Sequence, residues 1–177
     1  MAPTRLPEVI VTATRTKEET FSLPYAVDAV DADEMGRKLP RTTTDALREL
    51  PSVMLQKTGN GQASPYLRGF TGFRTLMLVD GIRLNNSTFR DGPNQYWNTV
   101  DSLSLDRLEV VRGPGSVLHG SDAVGGTVNA LSKGATLDGD EFDLDGHVQY
   151  RFSSAEDSHT GRVEADGGRA GRWGFHF

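Results

Sequence analysis

Cysteine is absent from the chain, which excludes disulfides, thiolate nucleophiles and Cys-ligated zinc or iron–sulfur centres. Long apolar runs are missing as well. The longest is Leu76-Met77-Leu78-Val79, far short of the roughly 20 residues of a membrane-spanning helix. The N-terminal MAPTRLPEV has no apolar h-region, so no secretory leader is expected within these residues. Basic residues are outnumbered, 19 Lys and Arg against 24 Asp and Glu for a net charge of −5. They form no stripe that could track phosphates, so nucleic acid is not an expected partner. The four histidines, His119, His147, His159 and His176, are scattered without H-x-H or H-x-x-x-H spacing. No nucleophile elbow or coherent carboxylate pair stands out either. The expectation is therefore no catalytic residue, no cofactor and no metal site: not an enzyme. Aromatic residues make up 8% and hydrophobic residues 36% of 177 residues, enough for one ordinary domain with a modest core and a small appendage.

Glycine, by contrast, is plentiful. Twenty glycines among 177 residues exceed the usual share of roughly 7%. They concentrate in residues 112–129, RGPGSVLHGSDAVGGTVN. A dinucleotide fingerprint needs G-x-G-x-x-G, but the glycine after Gly113-Pro114-Gly115 is Gly120, two residues too late. A P-loop needs Lys and then Ser or Thr, yet Gly125-Gly126 precedes Thr127-Val128. Pro114 also removes an amide donor. The stretch is not a phosphate cradle, and its glycines must serve tight turns or close backbone approach.

Three textures follow one another along the chain. Residues 1–20 are polar, with one β-branched run, Val9-Ile10-Val11-Thr12, which reads either as a frayed terminus or as an extended strip awaiting a partner's sheet edge. Residues 21–134 alternate short elements. Strands are expected over 25–30, 53–57, 76–79, 82–84, 108–111 and 127–131. Helices are expected over 33–38, stopped by Pro40, and over 45–50, capped by Thr43 or Thr44. Asp80-Gly81 signals a hairpin. Residues 135–177 are a linker followed by period-two alternation. Phe142, Leu144, Val148, Tyr150 and Phe152 share one face, and Asp143, Asp145, His147, Gln149 and Arg151 the other. A second strand over 160–166, a Gly167-Gly168 turn and a third strand with Trp173, Phe175 and Phe177 follow. Such alternation fits membrane barrel strands or an amphipathic sheet in a soluble sandwich.

Several stretches in order resemble the plug domain of TonB-dependent outer-membrane receptors. Glu8-Val9-Ile10-Val11-Thr12-Ala13 looks like the TonB box. Asp45-Ala46-Leu47-Arg48-Glu49-Leu50-Pro51-Ser52-Val53, Leu67-Arg68-Gly69-Phe70 and Leu78-Val79-Asp80-Gly81-Ile82-Arg83-Leu84-Asn85 are similar to successive plug segments. Leu105-Asp106-Arg107-Leu108-Glu109-Val110-Val111-Arg112 runs into a signature loop marked by Gly113, Pro114, Gly115, Gly120, Ser121, Gly125 and Gly126. The resemblance covers residues 8–134 as plug and 142–177 as first barrel strands. It implies an α+β fold: a small mixed-sheet plug domain with short helices, then the first antiparallel strands of a truncated transmembrane β-barrel. About three of the family's roughly 22 strands are accounted for, too few to close.

The resemblance further implies energy-coupled uptake of a scarce nutrient across the outer membrane. The ligand would be an iron complex such as a ferric siderophore, a haem or a cobalamin. Residues Glu8, Val9, Ile10, Val11, Thr12 and Ala13 would add a strand to the TonB C-terminal domain on the periplasmic side. Arg68 and Arg112 match arginines that latch the plug to glutamates of its own barrel domain, here beyond residue 177. Extracellular tips would fall at residues 62–66, 71–74 and 88–97. There Phe89, Arg90, Tyr96 and Trp97 would contact substrate or simply pack against the wall. His119 stands where the family more often has tyrosine. The alternative is a free-standing soluble plug-like module that binds a ligand or partner without transporting it.

Overall fold

The computed structural model describes residues 9–19, 22–59, 61–86, 88, 91–92, 96–135 and 141–177. The chain forms two compact units, Met1–Ser132 and Lys133–Phe177.

The first unit is built on a five-stranded mixed sheet in the order β3-β8-β9-β6-β7. Its strands are β3 (Ala26–Asp31), β6 (Thr75–Val79), β7 (Ile82–Arg83), β8 (Leu105–Arg112) and β9 (Gly126–Ser132). The β6–β9 pair is parallel and the other pairs are antiparallel. Two two-stranded pairs accompany it, β1 (Val9–Ile10) with β2 (Glu18–Glu19) and β4 (Val53–Gly59) with β5 (Gln62–Leu67). The expected α+β class with a mixed sheet and short helices is the class observed.

Local chemistry sets most of the boundaries. Asp31 caps α1 (Ala32–Lys38) by accepting from the Glu34 amide at 2.7 Å, and Asp33–Glu34 and Arg37–Lys38 complement the helix dipole at its two ends. The second helix, expected over 45–50, is instead α2, Thr43–Ala46. Its N-cap is Thr42, because Thr42 and Asp45 form a reciprocal capping box that starts the helix earlier. At the hairpin, Asp80 and Gly81 both take positive φ, 50° and 78°, as a type I′ turn requires. The Asp80 carboxylate also accepts from the Ser132 amide and hydroxyl, each at 2.8 Å, tying the turn to the end of β9. Residues 62–66 are not a tip. They form β5, pairing Met54 with Tyr66 and Leu55 with Pro65, and burying Ala63 and Ser64 removes them from any outer surface.

Both faces of β8 are covered. Leu108 and Val110 point into the main core with Leu47, Leu67, Met77, Trp97, Val128 and Ala130. Val111, on the opposite face, joins Ile10, Ala13 and Val27 in a second cluster. Residues 10–13 are thus packed on this sheet and not frayed.

The second unit is an antiparallel meander of β10 (Phe142–Ser153), β11 (Ser158–Arg169) and β12 (Trp173–His176). The Gly167-Gly168 turn expected from sequence is corrected: both glycines lie inside β11, and the chain turns at residues 170–172. A Cβ on Gly167 would meet the Phe175 ring at 2.6 Å, so the glycine makes room for an aromatic on the adjacent strand.

Candidate functional site

Glu109 lies in the middle of β8 and is completely buried. A carboxylate there needs compensation, and the N-terminal residues supply it. Its oxygens accept from the Val11 amide (3.1 Å), the Thr12 amide (2.7 Å) and the Thr12 hydroxyl. Arg107 Nε stands 3.1 Å away as the counter-charge. Asn129 Nδ2 on β9 donates to Thr12 Oγ1 at 3.0 Å. His119, in α3 (Ser116–His119), places Nε2 3.0 Å from the Thr12 carbonyl. The carbonyl can only accept, so the ring must carry its proton on Nε2. Ile10 and Ala13 fill the apolar socket beside this polar set.

The strip is extended only at Val9–Ile10. From Val11 onward it turns, with the Arg15 amide donating to the Val11 carbonyl at 2.7 Å and Arg15 at φ 63°. The expectation of a strip extended through Ala13 is corrected for this docked state. Capture of the Val11 and Thr12 amides by Glu109 bends the chain out of a ladder. A cavity of about 340 Å³ borders the turn, lined by Thr12, Arg15, Leu78, His119 and Asn129 among others. Burial pushes the His119 imidazole below its ordinary pKa. The Arg15 and Arg83 charges act the same way, and the hydrogen bond to Thr12 opposes them.

The signature loop is held from several directions. Gly113 donates to Gly125 at 2.9 Å and Gly115 to Ala123 at 2.8 Å, closing the loop on itself. Arg83 reaches in from β7 to the His119 and Ser121 carbonyls (2.7 and 2.9 Å) and to the Asp122 carboxylate (2.9 Å). Leu67-Arg68-Gly69-Phe70 rides directly on Gly125-Gly126. A Cβ on Gly126 would stand 2.5 Å from the Val111 carbonyl and 2.7 Å from Leu67, so only glycine fits. Gly113 takes φ 119°, and a Cβ there would meet the Arg68 guanidinium at 3.0 Å. Two motifs 45 residues or so apart in sequence therefore interlock through backbone that carries no side chains.

Arg112 is engaged within this unit, with Nη2 2.7 Å from Asp28 and Nη1 donating to the Pro51 carbonyl at 3.0 Å. Burial raises the Asp28 carboxyl above its usual value, and the Arg112 charge only partly offsets this. Arg68 is exposed, and its guanidinium forms no ion pair among the described residues.

The profile of the TonB-dependent Receptor Plug Domain family matches residues 19–127, well over half the chain. The chain belongs to this family. Curated relatives include the iron-regulated outer membrane virulence protein of Vibrio cholerae, 33% identical over 130 residues, and the vitamin B12 transporter BtuB of Vibrio vulnificus, 29% over 126 residues. These alignments cover 71% and 70% of this chain but only 20% of each relative, so the chain spans about a fifth of their length. Among solved structures, the pyoverdine outer membrane receptor FpvA of Pseudomonas aeruginosa, bound to pyoverdine, superposes with a TM-score of 0.71 at 27% identity. It covers 91% of this chain and 22% of that one.

The plug's candidate ligand residues divide. Trp97 is completely buried in the main core, which corrects its expected exposure: the ring packs against the sheet and offers no face to a ligand. Tyr96, half-buried in the 3-10 turn Tyr96–Thr99, remains at the surface. Phe89 and Arg90, like Glu8 of the strip, lie outside the described residues. Thr71–Arg74 includes a 3-10 turn with Gly72 buried. Glu109, Asn129 and Arg83 are the plug residues that the sequence reading passed over as site residues. One signal pointed to Glu109, a lone carboxylate within an apolar strand run, Leu108-Glu109-Val110-Val111. A buried charge of that kind demands partners from elsewhere in the fold.

Proposed function

We propose that this plug, with the strands that follow it, belongs to an outer-membrane receptor for energy-coupled uptake of a scarce nutrient of the ferric siderophore, haem or cobalamin class. The observation that carries the reading is a β-branched N-terminal strip on a plug fold, with its Val11 and Thr12 amides held by the Glu109 side chain and its Thr12 carbonyl by His119. On this reading residues 8–13 leave the plug on the periplasmic side and add to the sheet of the TonB C-terminal domain. Their main-chain groups supply affinity and the alternating side chains supply specificity. Pull on the strip then reaches the five-stranded sheet through the segment joining it to β3.

On this reading Arg68, exposed beside the signature loop, and Arg112 meet wall carboxylates of the complete receptor, bidentate pairing giving a reversible polar latch. Arg112 orders the loop from inside through Asp28. The names of relatives that transport vitamin B12 or bind pyoverdine support the nutrient class. Meander strands with Phe142, Leu144, Val148, Val163 and Trp173 exposed on them favour a lipid-facing wall over a free-standing soluble module.

The test is binding of a peptide spanning residues 8–13 to the purified TonB C-terminal domain, followed by ligand uptake in cells making the complete receptor. Binding that competes with a known TonB-box peptide supports the reading. A peptide that fails to bind at millimolar concentration sinks it.

A further inference from the structure

The meander sorts its residues by face almost without exception. Register pairs share a face in an antiparallel sheet, so Phe142, Arg169 and Trp173 form one row across β10, β11 and β12. Leu144, Gly167 and Phe175 form the next row, Val148 and Val163 lie further along, and Phe152 and His159 close the far end. On this face of the three strands, Arg169 is the single Lys, Arg, Asp or Glu. Its cross-strand neighbours on either side are aromatic, and their ring centroids approach to 6.0 Å. Arg172 lies in the turn that follows, which its amide closes by donating to the Arg169 carbonyl at 3.1 Å. Neither guanidinium forms an ion pair among the described residues. The acids of β11, Glu164 and Asp166, belong to the other face, where Lys133, Arg162 and His176 take them.

Arg169 and His159 stand ten positions apart on β11. That is about 33 Å of strand, and a tilt of roughly 40° brings it to about 25 Å, the height of a barrel's apolar band. The row of Phe142, Arg169 and Trp173 therefore falls at the edge of that band, at the depth of lipid headgroups. An arginine at this depth lays its stem along the apolar face and holds its guanidinium among phosphates. We propose that Arg169 and Arg172 form a headgroup site for an anionic phospholipid, Arg169 holding the phosphodiester beside the Phe142 and Trp173 rings and Arg172 adding the charge that selects against a choline headgroup. The proposal rests on these strands being the lipid-facing wall of the preceding subsection. A guanidinium presents paired donors that match two phosphate oxygens, and two arginines at one turn complement a headgroup of net negative charge. A zwitterionic headgroup brings its own cation beside Arg172 and loses that complementarity.

The test compares association of the full chain with phosphatidylcholine vesicles and with vesicles that also hold phosphatidylglycerol. The parent should bind the second kind more tightly. Arg169→Gln and Arg172→Gln should each weaken that association about fivefold and leave binding to pure phosphatidylcholine nearly unchanged. Arg151→Gln removes the same charge from the opposite face of β10 and should have little effect on either. A local readout separates a site from general attraction. Phosphatidylglycerol with brominated acyl chains should quench Trp173 emission more than an equal fraction of brominated phosphatidylcholine, and Arg169→Gln should remove the difference. Trp97, buried in the core of the first unit, contributes a constant background. Equal binding to both vesicles, equal quenching by the two brominated lipids, or equal loss in Arg151→Gln and Arg169→Gln overturns the headgroup site and leaves the wall reading standing. A chain that associates with neither vesicle overturns the wall reading and the site with it.

Discussion

His119 ties the N-terminal strip to the signature loop. It donates to the Thr12 carbonyl from a short helix of the signature loop, and burial together with Arg15 and Arg83 depresses its pKa. The sign of the linkage follows. With the folded value below the unfolded value of about 6.5, stabilisation is complete above that pH. It is lost as pH falls toward and through the folded value, because the unfolded chain takes up the proton first. Melting temperature should therefore drop between about pH 7.5 and about pH 5.5, and His119→Gln should flatten that drop. A parent profile no steeper than the variant's removes His119 from the linkage. Gly126 is a second case at this scale. Gly126→Ala drives a methyl into the Val111 carbonyl and Leu67 and should cost roughly 1–3 kcal/mol in urea unfolding. Gly61→Ala, with nothing within 4 Å of the added carbon, should change stability by less than about 0.5 kcal/mol.

Among elements, those fixed by local chemistry were the ones legible in the sequence. The Asp80-Gly81 hairpin, α1 and the alternating strand from Phe142 all appear close to where turn type, the Pro40 stop and periodicity place them, while the Asp31 cap of α1 emerges only from the structure. The capping box of α2 is local too, although the helix was expected two residues later, and it can be tested on its own. Thr42→Ala removes one half of the reciprocal bond to Asp45, and circular dichroism with thermal melting should register a loss of about 1 kcal/mol. Loss of the Lys57–Asp45 contact at 2.9 Å should not follow, since Lys57 comes from β4. Elements that depend on distant partners were not legible. β5 exists because β4 pairs with it, and no turn rule marks Pro65 as a strand residue. Gly167-Gly168 reads as a turn until Phe175 is seen lying on it. The strip at residues 9–13 reads as a frayed end or as an extended strand because its β-branched run favours the extended form. The carboxylate that bends it lies about a hundred positions away, beyond any local pattern. The glycines of the signature loop are expected from sequence to serve tight turns or close approach, and the fold shows Leu67 and Phe70 approaching Gly125.

At the scale of the molecule, the two units differ in how they bury their apolar side chains. The first buries a coherent core on both sides of β8. The second exposes large apolar side chains along its meander, including Val148 at 76% and Val163 at 74%. These two are directly paired across β10 and β11, so they stand side by side on one face. Phe142 and Trp173 extend the same surface, with ring centroids 6.0 Å apart. The polar residues of β11 are instead satisfied by neighbours within the unit: Glu164 by Lys133 and Arg162, and Asp166 by His176. A sheet with one apolar and one ion-paired face belongs at a boundary between lipid and a polar interior. The chain should therefore float with phosphatidylcholine vesicles, and Trp173 emission should shift to shorter wavelength as it does so. Val163→Lys puts a charge on the apolar face and should weaken vesicle association by the equivalent of about 2–4 kcal/mol if the site sits near the bilayer midplane, less nearer its edge. Gln149→Lys, on the opposite face of the neighbouring strand, should leave association nearly unchanged. Equal loss in both variants would mean that the sheet meets lipid without a preferred face, and the wall reading of these strands would fail.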